Sequence, residues 1–379
     1  MLTQQSKTWQ ACPASHELEK ACAILALGKA VPPHAIEQGD AAAAVNSFCL
    51  FTPEQARWLG TIYRRAGVRK RHMVVLDRSA SPRLFYPPAT DAVDRGATTA
   101  QRVRRYDLEA RSLAHRAALQ AVNGSGVSRG DITHLITISC TGFAAPGVDI
   151  SLIRSLGLHP TVQRTHIGFM GCHGALNGLQ VARALTRADP QARVLLCAVE
   201  VCSVHFQYAW NPDQVVASAL FADGAAALLL GRPLTADAGD WQLTATGTFL
   251  IPSSEDAMTW RIGDHGFEMT LAVEVPELIR ENLRSWLEKW LAEQGVGVAD
   301  IASWAVHPGG PRVLDAVQHS LSLPANSLAA SRDVLADHGN MSSPTVVFIL
   351  DRLRSKQAPL PCVVLAFGPG LVVEAALFQ

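Results

Sequence analysis

Gly168-Phe169-Met170-Gly171-Cys172-His173-Gly174-Ala175-Leu176-Asn177-Gly178 is the stretch on which the fold turns. Upstream of it, Thr161 to Gly168 carries β-branched Thr161, Val162, Thr165 and Ile167, and predicts a strand. Downstream, Ala175, Leu176, Leu179, Val181, Ala182 and Leu185 recur at helical spacing. Cys172 therefore sits where a strand turns into a helix, flanked by glycines that let the chain bend sharply. A thiol at a helix N-terminus meets unpaired N–H groups and the positive end of the helix dipole. Both favour the thiolate, the form that attacks carbonyl carbon. The competing reading is a cysteine packed into a tight turn, since free cysteine is among the most buried residue types.

The rest of the chain repeats this strand-to-helix alternation. Strands are expected at Ala21 to Leu27, Asp131 to Ser139, Arg193 to Val201, Ala226 to Leu230, Leu243 to Leu250, Ile301 to Val306 and Cys362 to Phe367. Helices are expected through much of 40–120, and at Val275 to Glu293, Pro311 to His319 and Pro344 to Ser355. Most of these strands are apolar throughout, which predicts an α/β protein whose sheets are covered on both faces. Residues 1–20 read as a loose arm, and 79–88 as a loop rich in Pro, Ser and Arg. A Pro/Gly/Asp/Thr-rich change near 232–240 divides the chain into an N-terminal half, 1–235, and a C-terminal half, 236–379.

Composition narrows the function. Of 379 residues, 48% are hydrophobic and 17% charged, so the chain can bury a large core and is not disordered. Lys+Arg and Asp+Glu both total 33, which leaves no net charge to draw it to nucleic acid or to an anionic membrane. The cysteines are Cys12, Cys22, Cys49, Cys140, Cys172, Cys197, Cys202 and Cys362. None has zinc-ligand spacing, and most lie in apolar runs. A reduced, cytoplasmic protein is expected, with no metal and no integral membrane segment.

Two more segments place polar groups at element ends. Trp304-Ala305-Val306-His307-Pro308-Gly309-Gly310-Pro311 is an apolar run that ends in a histidine before a Pro/Gly turn. Asp337-His338-Gly339-Asn340-Met341-Ser342-Ser343-Pro344 is a turn with an asparagine ahead of a helix. Such positions often carry function on a rigid scaffold. Taken singly, His307 also reads as a satisfied core histidine, and Asn340 as a turn or N-cap residue.

With these segments in order, the chain resembles the type III polyketide synthases, the chalcone and stilbene synthase-like group of the thiolase superfamily. The resemblance rests on GFMGCHGALNGL at 168–179, ALFADGAAA at 219–227, WAVHPGGPRVLDAV at 304–317, GNMSSPTVVFIL at 339–350 and AFGPGLVVE at 366–374. It implies a five-layer αβαβα thiolase-like fold made of two similar halves, and a homodimer. It also implies Cys172 as nucleophile with His307 and Asn340 as partners. Acyl-CoA and malonyl-CoA are the implied substrates, with no cofactor beyond these thioesters. By the same resemblance Phe221 is a gatekeeper between a coenzyme A tunnel and the cavity. Ser342, Thr141 and the Gly368-Pro369 loop line that cavity. Arg64, Arg65, Gly309 and Gly310 fall near the coenzyme A site, although a solvated surface run explains the two arginines equally well.

Where plant members have a second gatekeeper Phe, this chain has Met269. Where they have a cavity glycine it has Trp260, and where they have a Thr it has Cys140. Cys140 reads either as a second reactive thiol or as a packed strand-end cysteine. Trp260 would fill space that a bulky aromatic product needs. Flexible Met269 and small Ala144 and Ala145 would leave a narrow apolar channel. The expected starter is a fatty acyl-CoA, extended to alkylpyrones or alkylresorcinols. The alternatives are a malonyl-only tetrahydroxynaphthalene-type synthase, a ketoacyl synthase III and, from another class, a papain-like cysteine hydrolase. HPGGP and AFGPGL argue against the second, and the mid-chain position of Cys172 against the third.

Overall fold

A computed structural model describes residues 22–76, 85–233 and 241–379. The expected arm at 1–20, Cys12, most of the 79–88 loop and the division at 235/236 lie outside the described residues.

Two sheets organise the chain. The first runs in the order β1 (Ala23–Ala30), β7 (Asp223–Gly231), β6 (Arg193–Val201), β4 (His134–Ser139), β5 (Gln163–Gly168). The second runs β11 (Ser303–Val306), β12 (Cys362–Gly368), β13 (Val372–Phe378), β8 (Leu243–Leu250). Strands β6, β4 and β5 are parallel, as are β11 and β12; the remaining neighbours in these sheets are antiparallel. Two hairpin-like pairs complete the strands, β2 (Ala35–Glu37) with β3 (Lys70–His72) and β9 (Met258–Gly263) with β10 (Gly266–Leu271).

Pleating explains the layers. Successive side chains leave opposite faces of a strand. Val194, Leu196 and Ala198 of β6 therefore enter a central core, while Leu195, Cys197 and Val199 enter an outer one. Likewise Cys362, Val364 and Ala366 of β12 face the centre, and Val363, Leu365 and Phe367 face out. The central core packs both sheets around the helices Gly174–Ala188 and Thr345–Ser355. Helices Thr99–Gly124 and Val148–Leu156 cover the outside of the first sheet. Helices Val275–Ala292 and Pro311–Ser320 cover the second. This is the expected five-layer αβαβα arrangement. Each fully buried Leu or Val contributes about 1.5–3 kcal/mol to it.

A smaller cluster joins the helices Gln38–Phe48, Pro53–Arg65 and Pro212–Leu220 at the edge of this stack. The β9–β10 hairpin and the helices Pro212–Leu220 and Ala329–His338 were not expected from the sequence. Among the described residues, no helix is long and apolar enough to cross a membrane.

Candidate active site

Strand β5 delivers the chain to a single 3-10 turn, Gly171–His173, which carries Cys172 into the central helix Gly174–Ala188. The bend is tight. Gly171 has φ 70°, and a Cβ there would lie 2.4 Å from Pro369 Cδ, so only glycine fits. Phe169, with φ 58°, also adopts the left-handed region, which costs a non-glycine residue about 1–2 kcal/mol.

Cys172 is buried, and burial pushes its thiol up to about 11. Hydrogen bonds between its sulfur and the Ser342 and Asn340 side chains oppose that rise, and the charge of Glu200 adds to it. The expected stabilisation of a thiolate by the helix terminus is therefore corrected: desolvation outweighs it. His307 follows β11 and is also buried. Burial, then the nearby His173, drives its imidazole down to about 3, so the ring is neutral at pH 7. Neither ring nitrogen has a hydrogen-bond partner among the described residues. Burial thus pushes both groups toward their neutral forms, against the ion pair expected between His307 and Cys172.

Asn340 is fixed by its backbone. Its N–H donates to the Leu220 carbonyl at 2.8 Å and its carbonyl accepts from Ala222 N–H at 2.9 Å, a bridge that ties it to Phe221. Its side-chain Oδ1 accepts from the Ser342 N–H at 2.8 Å, which leaves the amide NH2 as the end that meets the Cys172 sulfur. Ser342 has φ 56° and lies 3.4 Å, Oγ to Sγ, from Cys140.

One cavity of about 320 Å³ joins most of the expected substrate residues: Cys140, Thr141, Cys172, Phe221, Trp260, Met269, Ser342 and Pro369 all line it. Trp260 and Met269 face each other across the β9–β10 hairpin. Trp260 donates its Nε1–H to the Cys140 carbonyl at 2.7 Å and meets Phe267 edge-on at 5.8 Å. Gly368 lies outside the lining. A Cβ there would come within 2.2 Å of His173 Cδ2, so the residue serves backbone-to-ring contact. Ala144 and Ala145 are exposed and do not line the cavity, which corrects the expected channel beside them.

Next to the cavity lies an open groove of about 770 Å³ lined by Arg57, Trp58, Arg65, Gly309, Gly310 and Arg312, among others. Arg64 is not in it; its Nη2 donates to Thr61 Oγ1 at 3.0 Å on the same helix. Consecutive residues divide the two spaces, Leu220 lining the groove and Phe221 the cavity.

Two supports escaped the sequence reading. Glu200 is fully buried under Cys140 and accepts from Cys140 N–H, Ser139 Oγ, Thr141 Oγ1 and Ser343 Oγ at 2.7–3.2 Å. The Cys140 thiol donates to it as well, and burial raises both groups' pKa values. A second chain runs from Thr248 Oγ1 to Glu374, from Asn177 Nδ2 to Glu374, and between Asn177 Oδ1 and His173 Nδ1. His173, Asn177 and Glu374 stand inside quoted motifs, but their partners are up to 197 residues away.

Comparison with known proteins follows the same lines. Residues 12–233 match the family described as chalcone and stilbene synthases, N-terminal domain, and residues 242–379 match its C-terminal domain. An alpha-pyrone synthesis polyketide synthase-like protein, Pks18, of Mycobacterium tuberculosis is 31% identical over 363 residues, spanning 94% of this chain and 90% of that one. A 1,3,6,8-tetrahydroxynaphthalene synthase of Streptomyces peucetius subsp. caesius is 32% identical over 367 residues, covering 96% and 94%. The crystal structure of PKS-I from the brown alga Ectocarpus siliculosus superposes with TM-score 0.88 at 30% identity, covering 95% of this chain and 98% of that one.

Proposed function

We propose, for a chain that belongs to the chalcone and stilbene synthase family and is a type III polyketide synthase, that Cys172, His307 and Asn340 perform its decarboxylative Claisen condensation on a fatty acyl starter. The observation that carries the reading is the cavity itself. The sulfur of Cys172 opens into a space walled mainly by aliphatic and aromatic side chains. Polar side chains such as Arg71, Tyr86 and Gln214 also line it, but aliphatic and aromatic ones outnumber them.

The chemistry follows from the protonation states. Neutral His307 takes the thiol proton as sulfur attacks the acyl-CoA carbonyl, and coenzyme A leaves as the acyl group becomes a thioester on Cys172. Malonyl-CoA then enters, and loss of carbon dioxide puts two electrons onto its α-carbon and thioester oxygen. The amide NH2 of Asn340 and an N–H of His307 stabilise that oxygen. The enolate carbon attacks the Cys172 thioester, the sulfur leaves, and the chain is two carbons longer. Repetition and ring closure give an alkylpyrone or alkylresorcinol.

The groove beside Phe221 suits coenzyme A, whose phosphates would meet Arg57, Arg65 and Arg312. Phe221 then gates the passage from groove to cavity, with Met269, which lines the same cavity, as a softer second gate. A homodimer and a cytoplasmic setting belong to the same reading, as does the division into halves at 235/236. The edge strand β5 supports the dimer: Gln163, Arg164, Thr165 and His166 are exposed, and Phe143, Phe169 and Met170 expose apolar surface nearby.

The test is incubation with malonyl-CoA and acyl-CoA starters of graded length, with products identified by mass spectrometry. Long-chain pyrones or resorcinols, absent for Cys172→Ala, are expected. A single aromatic pentaketide made from malonyl-CoA alone would replace the starter assignment with tetrahydroxynaphthalene synthesis.

A further inference from the structure

The Pro212–Leu220 helix ends in buried Ala219 and Leu220, and the last carbonyls of a helix have no partner along the helix itself. Residues from distant parts of the chain supply the partners. Gln38 Nε2 donates to the Ala219 carbonyl at 2.8 Å, and the Tyr63 hydroxyl to the Ser218 carbonyl at 3.2 Å. The Leu220 carbonyl accepts from the Asn340 N–H at 2.8 Å. Arg71, on β3, donates from Nη1 to the carbonyls of both Ser218 and Phe221.

Stability alone does not account for an arginine in this cap. Arg71 is 1% exposed and makes no ion pair among the described residues. Its Nε is buried without a partner there. The negative end of the helix dipole and the Tyr63 ring, 5.3 Å from Arg71 Cζ, offset part of the cost of burying the charge. An apolar side chain of similar length would avoid that cost altogether.

What the guanidinium adds is a grip on one peptide plane. The peptide between Phe221 and Ala222 offers its carbonyl to Arg71 Nη1 at 2.9 Å and its N–H to the Asn340 carbonyl at 2.9 Å. Carbonyl and N–H lie on opposite edges of a rigid plane, so turning the peptide away from Arg71 also turns it away from Asn340. Gly339 is wedged into the same place. With φ 71°, a Cβ there would lie 2.9 Å from the Leu220 carbonyl oxygen and 3.4 Å from Arg71 Cβ. The backbone of Asn340 is thus hung on a segment whose other edge is held by Arg71.

We infer that Arg71 is a positioning residue for the condensation: by holding the Phe221–Ala222 peptide it fixes the Asn340 backbone, and so aims the Asn340 amide. The inference rests on the reading of Asn340 as a donor to the enolate oxygen, and it adds the residue that keeps that donor in place. A small misplacement of such a donor is enough to cost one to two orders of magnitude in rate.

Two half-reactions of the enzyme separate this role from support of the fold. Acylation of Cys172 draws on the sulfur and His307, and is followed by intact-protein mass with hexanoyl-CoA or palmitoyl-CoA, whichever the wild type loads faster. Carbon dioxide release from malonyl-CoA draws on Asn340. Arg71→Met keeps the stem and removes the donors. It should lower carbon dioxide release roughly 10- to 100-fold while acylation stays within about twofold of wild type. A cap that only supports the fold would slow both steps together or neither, and either result overturns the positioning role. Arg71→Lys carries the same test if Arg71→Met fails to fold: its single ammonium replaces a planar fork, so release should fall by about threefold or more with acylation retained. Asn340→Asp is assayed alongside. If it releases carbon dioxide at the wild-type rate, the assignment of Asn340 falls and the role of Arg71 with it. If it is impaired and the Arg71 variants are not, the positioning role alone falls.

Discussion

Asn340 commits its Oδ1 to the Ser342 N–H, so what it offers a substrate is donors. That is the polarity an enolate oxygen needs, and it defines a sharp substitution. Asn340→Asp keeps the shape but replaces the donor with a negative acceptor. Malonyl-CoA decarboxylation by Asn340→Asp should fall by about 10²–10³, the usual cost of one oxyanion donor. Carbon dioxide release measured without a starter checks it, and wild-type release would remove Asn340 from the step. The paired directions at Cys172 and His307 make a second prediction. Between pH 6 and 9, below the thiol's value of about 11 and above the imidazole's value of about 3, both groups are neutral. The thiolate fraction then rises about tenfold per pH unit over that window. The rate of Cys172 alkylation by iodoacetamide should follow it without a plateau. A flat rate from pH 6 upward would mean a standing thiolate–imidazolium pair. Cys172, His307 and Asn340 were readable as candidates because each lies at the end of an element, beside or close to glycine. Glu200 was not, because its reading needs partners 60 and 143 residues away and nothing local marks it.

At the scale of elements, the turn that carries Cys172 and the hairpin that faces it are the decisive pieces. Gly171→Ala would place a Cβ against Pro369 and force φ 70° on a residue that resists it. The conformational part alone costs about 1–2 kcal/mol. A lowered Tm is expected together with loss of condensation, because Pro369 lines the cavity. An unchanged Tm would mean that the turn relaxes. Trp260, on β9, closes the cavity on the side where Met269 and Phe267 of β10 also stand. Trp260→Gly should open that side to an aromatic starter such as 4-coumaroyl-CoA, raising its turnover relative to palmitoyl-CoA by about tenfold or more. Competition between the two starters, read by mass spectrometry, checks it. Strands Arg193–Val201 and Leu243–Leu250 were read to the residue because turn residues bound them. The β9–β10 hairpin was missed because Arg261, Glu268 and Thr270 interrupt its apolar pattern. The Pro212–Leu220 helix had a start signal that went unread, Asn211 capping it ahead of Pro212.

At the scale of the molecule, the two sheets meet around a shared core, and the candidate site draws on loops that follow strands of both sheets. Cys172 comes from the first sheet's side. His307, Asn340 and the Gly368-Pro369 loop come from the second. The link from His173 through Asn177 to Glu374 and Thr248 fastens the nucleophile's turn to strands β13 and β8, so the halves hold the site jointly. The layered architecture was legible because the strands are apolar on both faces. The outer edge was not, since β5 shows polar residues on an otherwise covered sheet. Among the described residues, β5 has no strand neighbour on its far side. A second copy would supply one, with Phe143 close to the junction. The side chain of Phe143 is 53% exposed yet lies parallel to Phe267 at 6.4 Å, so a partner that covers it would also brace a wall of the cavity. Phe143→Glu places a charge where an apolar contact would be desolvated, and should shift the protein from dimer toward monomer in light scattering after gel filtration. If the dimer braces the wall, turnover per chain falls in parallel with the dimer fraction as the variant is diluted. A variant that stays dimeric with wild-type turnover would place the interface away from Phe143.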